Sequence, residues 1–82
     1  MKIVNGKETV RAGELAKLCG VPNATIKYYT AQKMLTYFQE GKNNKRYPLD
    51  ESVNRVKEIQ RLKKKRYTIE EIKGKIGVVN EL

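Results

Sequence analysis

Thr25, Lys27 and Tyr28 place a hydroxyl, an ammonium and a phenol within four consecutive positions, and further along Lys42, Lys45 and Arg46 surround Asn43 and Asn44. The chemistry these groups support is non-covalent. A threonine can meet a phosphate or a thymine methyl, a lysine neutralises a phosphate or donates to guanine, and a tyrosine offers a hydroxyl on a flat ring. The second cluster holds donors only, apart from its amide oxygens, so a phosphate or a narrow minor groove is its natural receiver. Plainer readings of the same residues stay open: Tyr28 and Tyr29 as half-buried packing residues, and the second cluster as a loop made polar by exposure. Covalent chemistry has little to work with. The chain has no His and one Cys, and its acidic pairs Asp50-Glu51 and Glu70-Glu71 suit helix starts, so no acid–base pair, nucleophile or zinc ligand set is expected. The reading is a non-enzyme without metal or other cofactor.

These side chains need a scaffold, and the apolar spacing supplies one. Ala12, Leu15, Ala16, Leu18 and Cys19 recur at three- and four-residue steps, which predicts a helix over 12–19 with those five on a buried stripe. Gly20 suits the left-handed position just past a helix, and Pro22 with Asn23 starts a second helix, roughly 23–32. Ile26 and Tyr29 are expected to share the core with Leu18, leaving Thr25, Lys27 and Tyr28 outward, because adjacent helical residues point about 100° apart. A short helix, a tight turn and a second helix make a rigid corner whose second member can enter a major groove, and Asn23 at its start joins the candidate contacts.

A hairpin follows: Thr36, Tyr37 and Phe38 favour a strand, 41–44 supplies turn residues, and Lys45-Arg46-Tyr47 returns. Two helices close the chain. The first, roughly 50–64, carries Val53, Val56, Ile59 and Leu62 on one stripe, with Asp50 and Glu51 at its positive end and Lys63, Lys64 and Lys65 at its negative end. The basic run 63–66 therefore has two open roles, serving the helix terminus or a polyanion. The second opens on Thr68-Ile69-Glu70-Glu71, a capping box, with Tyr67 and Ile72 as its hydrophobic staple. Ile69, Ile72 and Ile76 face the core, and Gly74 and Gly77 weaken the helix near its end.

A chain of 82 residues allows one domain with a modest core and no deep catalytic cleft. Its 18 Lys plus Arg against 9 Asp plus Glu give a net charge of +9, a field that favours polyanions. Two thirds of the basic residues lie beyond Gly41. Nucleic acid is the expected partner, with a basic surface kept for solubility as the alternative. One Phe, no Trp and no long apolar run argue against a membrane partner. Asn5, Gly6, Lys7 and Glu8 interrupt any secretory signal after Val4, so a cytoplasmic location is expected. Cys19, with apolar neighbours, reads as a core residue. The resulting division is a polar lead over 1–9, with Val10 adding a brief strand, a domain over 10–76 and a tail over 77–82.

Leu15-Ala16, Gly20-Val21, Thr25-Ile26-Lys27-Tyr28-Tyr29, Lys45-Arg46-Tyr47 and Tyr67-Thr68-Ile69-Glu70-Glu71-Ile72 occur in the order and near the spacing of the amino-terminal DNA-binding domain of MerR-type transcription regulators, which 10–76 resembles. The resemblance implies a mainly α, winged helix-turn-helix fold with four helices and a short two-stranded wing. It implies sequence-specific binding of double-stranded DNA, with contacts from Lys27 and Tyr28 in the second helix and from Lys45 and Arg46 in the wing; Asn23, Thr25, Lys42 and Asn44 complete the candidate set. The family's usual arginine is Lys27 here, Lys33 and Arg66 stand where it tends to have glycine, and 47–53 is one residue longer than its usual spacing. The long dimerising helix and effector domain of such regulators have no counterpart here, so no small-molecule effector site is expected. A homodimer on DNA stays open, with the last helix and its 76–79 tail as its surface. An excisionase-like architectural protein that bends DNA for a recombinase is the alternative, followed by a protein-interaction or RNA-binding module.

Overall fold

Residues 2–42 and 44–77 are described in the computed structural model of the chain. They open with a hairpin: β1 (Lys2–Val4) and β2 (Lys7–Val10) pair antiparallel through Asn5 and Gly6, whose φ angles of 52° and 78° are those of a tight primed turn. Within the expected polar lead over 1–9, residues 2–4 and 7–9 are strand, and the brief strand expected at Val10 is the end of β2. Thr9 lies opposite Pro48 and Val10 opposite Tyr47, so the hairpin is tied to a strand far along the chain, and Thr9 and Val10 are fully buried.

From β2 the chain turns at Arg11 into α1 (Ala12–Cys19), the helix expected from the apolar spacing. Leu15 and Ala16 are buried, and Ala12 and Cys19 pack against them. Leu18 is 52% exposed, against the expectation that it joins the core. At about 100° per residue the other four cluster on one side of the helix, while Leu18 falls well off their centre. Gly20 takes the left-handed conformation at φ 69°, and the next N–H, of Val21, reaches back to the Ala16 carbonyl at 3.0 Å.

The second helix, α2 (Asn23–Ala31), begins after Pro22 and ends one residue short of the expected bound. Ile26 and Tyr29 are buried, as their three-residue spacing requires. Lys33, at φ 61°, turns the chain so that the Met34 N–H reaches the Tyr29 carbonyl at 2.9 Å, and Met34 and Leu35 drop into the core. The next strand, β3 (Phe38–Gln39), starts two residues later than Thr36 and pairs with β4 (Lys45–Pro48). With β4 also paired to β2, the sheet order is β1-β2-β4-β3, and the expected two-stranded wing is one half of a four-stranded sheet. Asn43 lies outside the described residues.

Helix α3 (Leu49–Lys64) starts directly after Pro48 and buries Ser52, Val56, Ile59 and Leu62. Ser52 takes the central line in place of Val53, which packs at the edge of the core. In α4 (Ile69–Ile76) the capping box forms as expected: the Glu71 N–H donates to Thr68 Oγ1 at 3.2 Å, and the Thr68 N–H donates to the Glu71 carboxylate at 3.0 Å. Tyr67 and Ile72 close over that start, with Ile72 fully buried. Arg55 pins the far end of α4, donating from Nη1 to the Ile76 carbonyl at 2.6 Å. The tail at 78–82, including the Val78-Val79 part of the expected dimer surface, lies outside the described residues. Among the described residues no helix is long and apolar enough to cross a membrane.

Candidate nucleic-acid interface

Burying Ile26 and Tyr29 decides what α2 shows to solvent. Lys27 and Tyr28 are exposed, Tyr28 by 45%, and Thr25 is half-buried. Tyr28 keeps its ring beside that of Tyr29, with centroids 6.1 Å apart and planes tilted by 53°, so the two tyrosines divide the roles of surface and core between them.

The β3–β4 pair is held against the same helix. Tyr47, almost fully buried, brings its hydroxyl to 2.7 Å from Thr30 Oγ1, and Thr30 also donates to the Ile26 carbonyl at 2.8 Å. Burial pushes the Tyr47 phenol pKa up, the Thr30 hydrogen bond offsets part of that, and Tyr37 adds to it. One groove results, lined by Lys27, Lys33, Tyr37 and Lys45 above the Thr30–Tyr47 contact. The Lys45 ammonium stands 5.3 Å from the centre of the Tyr37 ring, a cation–π contact that orients it. Lys27 of the helix and Lys45 of the hairpin thus face one space, a cationic trough with an aromatic wall.

Arg46 does not join them. Neighbouring strand residues point to opposite faces, so with Lys45 and Tyr47 on one side Arg46 must lie on the other. It is 8% exposed and donates from Nε to Thr9 Oγ1 and from Nη2 to the Thr9 carbonyl, both at 3.2 Å. Its expected place at the hairpin tip is therefore corrected to a site at the junction of β2 and β4. Asn44 also turns inward, donating to Glu40 at 3.4 Å, while Lys42 is exposed and its carbonyl accepts from Gln39 at 3.3 Å. Lys42 alone of these three projects freely at the turn.

A second groove, which sequence reasoning missed, runs beside the starts of α1 and α2. Arg11, Gly13, Glu14, Lys17, Asn23 and Arg46 line it. It joins Asn23 and Arg46 with Arg11, just before α1, and Lys17 of α1, two cations that sequence reasoning did not single out; the signal would have been the pairing of β2 with β4 that brings the start of α1 beside Arg46. Elsewhere, burial raises the pKa of Cys19 and Lys57 offsets part of the rise, so the thiol stays protonated at neutral pH. Among the described residues no three His, Cys, Asp or Glu side chains cluster where a metal ion could sit.

Comparison with known proteins points the same way as the geometry. Residues 10–76 match the model of the MerR HTH family regulatory proteins. The chain is 36% identical over 73 residues to the HTH-type transcriptional regulator CueR of Bacillus subtilis (strain 168), covering 89% of this chain and 50% of that protein. It is 33% identical over 70 residues to the mercuric resistance operon regulatory protein of Bacillus cereus, covering 85% and 53% respectively. The chain spans about half the length of these curated relatives. No solved structure gives a significant match.

Proposed function

The chain belongs to the MerR family of helix-turn-helix regulatory proteins, and from that premise we propose that it is a winged helix-turn-helix reader of double-stranded DNA acting in transcription regulation. Two relatives are named as regulators, one of them of an operon, which supports the regulatory half of this reading. The observation that carries the DNA half is the shared trough: Lys27 on α2 and Lys45 on β4 line one groove, braced by the Thr30–Tyr47 contact. In this reading α2 enters the major groove with Thr25, Lys27 and Tyr28 toward bases and phosphates. The hairpin with Lys42 and Lys45 follows the flanking backbone. Lys27 makes a point contact rather than the forked contact of an arginine, so base discrimination at that step is weaker and phosphate neutralisation is retained.

Fluorescence anisotropy with a mixed-sequence duplex, competed by a structured RNA hairpin of equal length, tests the reading. Duplex binding that falls by about a thousandfold between 50 and 200 mM salt, and that RNA competes poorly, is the expected result for roughly six phosphate contacts. A nearly flat salt dependence, or equal competition by RNA, overturns it. Selecting bound duplexes from a random pool then identifies the operator, a single motif or a repeat distinguishing one reading head from two.

A further inference from the structure

We propose that Arg11, Lys17 and Arg46 form a cradle for one backbone phosphate of duplex DNA, distinct from the Lys27–Lys45 trough. The proposal rests on the duplex-binding reading above and adds a second anchoring point to it.

The strand register brings two of the three cations together. Val10, the last residue of β2, faces Tyr47, so Arg11 follows beside the stretch of β4 that carries Arg46, and both side chains line the groove. Arg11 is still extended there, at φ −82° and ψ 165°, and so presents its side chain on the same face as Arg46. Like charges gathered in one groove repel. Among the described residues none of Arg11, Lys17 and Arg46 has an acidic partner at ion-pair distance. Glu14 is the one acid lining the groove, which leaves two positive charges in excess. Mutually repelling cations that Glu14 offsets only in part are what an external anion relieves.

Arg46 is also built for the task. Thr9 accepts from both Nε and Nη2, so the guanidinium is fixed in a buried setting before any ligand arrives, and little side-chain freedom remains to be lost on binding. The groove opens beside Asn23, at the first turn of α2, the end that a reading helix presents to DNA. Neither α1 nor α2 has a side-chain cap at its start, so both helix dipoles add partial positive charge at this end. A phosphodiester oxygen pair suits this arrangement: one forked guanidinium, a second guanidinium and a mobile ammonium around an open groove.

The test is the salt dependence of binding to the same mixed-sequence duplex by the full chain and four variants. Arg11→Gln with Lys17→Gln removes the two exposed cations without touching the Thr9–Arg46 contact, and thermal unfolding checks that the fold is kept. Its binding slope against log salt is expected to fall by about 1, near 0.9 for the one phosphate left without its neutralising cations. Glu14→Gln is expected to bind about threefold more tightly. Lys75→Gln, which lines neither groove, is expected to leave the slope almost unchanged. An unchanged slope for the double variant, or an equal fall for Lys75→Gln, overturns the cradle. If Lys27→Gln with Lys45→Gln still loses affinity in that case, the trough and the duplex-binding reading survive; no duplex binding by the unaltered chain removes both.

Discussion

The hydroxyls of Thr30 and Tyr47 meet at 2.7 Å, joining the last turns of α2 to the central strand β4. This contact sets the distance between the helix and the hairpin that share the trough, so it links packing directly to binding. Tyr47→Phe removes the phenolic oxygen while Thr30 keeps its bond to the Ile26 carbonyl. A loss of about 1 kcal/mol is expected in urea unfolding, the usual net worth of one such hydrogen bond. Duplex affinity should weaken along with it. Tyr47→Ala, which empties a fully buried site, should cost about 3 to 5 kcal/mol.

The two buried phenols predict an alkaline limit. Burial raises the pKa of both Tyr29 and Tyr47 above the ordinary value of 10.0. The unfolded chain therefore loses these protons first, and stability that is fully present below pH 10 falls as pH rises beyond it. Urea midpoints measured from pH 8 to 11 should stay level and then decline. Tyr47→Phe should make the decline shallower.

The capping box predicts an acid-side effect of opposite sign. The Thr68 backbone N–H, and then its side chain, hold the Glu71 carboxyl below its ordinary pKa of 4.5. That contribution is present above pH 4.5 and is lost as pH falls through the lowered folded value. Thr68→Ala should cost about 1 kcal/mol at pH 7 through the lost cap, while Glu71→Gln, which removes the titrating carboxyl, should flatten the acid limb. Thermal unfolding at pH 3 to 7 checks both.

Lys33 and Arg66 occupy left-handed backbone at φ 61° and 67°. A side chain there costs about 1 to 2 kcal/mol, against roughly 0.5 to 1 for the extra freedom of glycine in the unfolded chain. Arg66→Gly should thus stabilise by up to about 1 kcal/mol. A rise in melting temperature tests this directly.

Arg46 ties the amino-terminal hairpin to β4 through two bonds to Thr9. Arg46→Ala should cost about 1 to 3 kcal/mol by leaving Thr9 under-satisfied in a buried setting. Thr9→Val should cost less in that background than alone, and a double-mutant cycle on urea unfolding measures the difference.

Local signals carried most of the helical part of the fold. The Thr68 capping box, the Gly20 turn and the Ile26–Tyr29 spacing each act within a few residues, so the chain displays them openly. The amino-terminal hairpin was harder to see despite Asn5-Gly6. Its strands have three and four residues with only Thr9 and Val10 buried, so no alternation builds up, and their partner β4 is distant in sequence. Leu18 misled because its apolar character fits a stripe that an eight-residue helix is too short to define. In the site, Lys27 and Tyr28 were legible because their buried neighbours dictate where they point. The place of Arg46 was not, since its position in the sequence suggested the hairpin tip while strand alternation and the buried Thr9 oxygens set it on the other face.

Amide chemical-shift mapping of the full chain titrated with duplex DNA tests the central claim most directly. The predicted result is a connected set of perturbed amides at 23–28 on α2, at Lys42 and Lys45 on the hairpin, and at 11–17 beside the second groove. Perturbations confined to α4 and the exposed side of α3, with α2 unchanged, would contradict it.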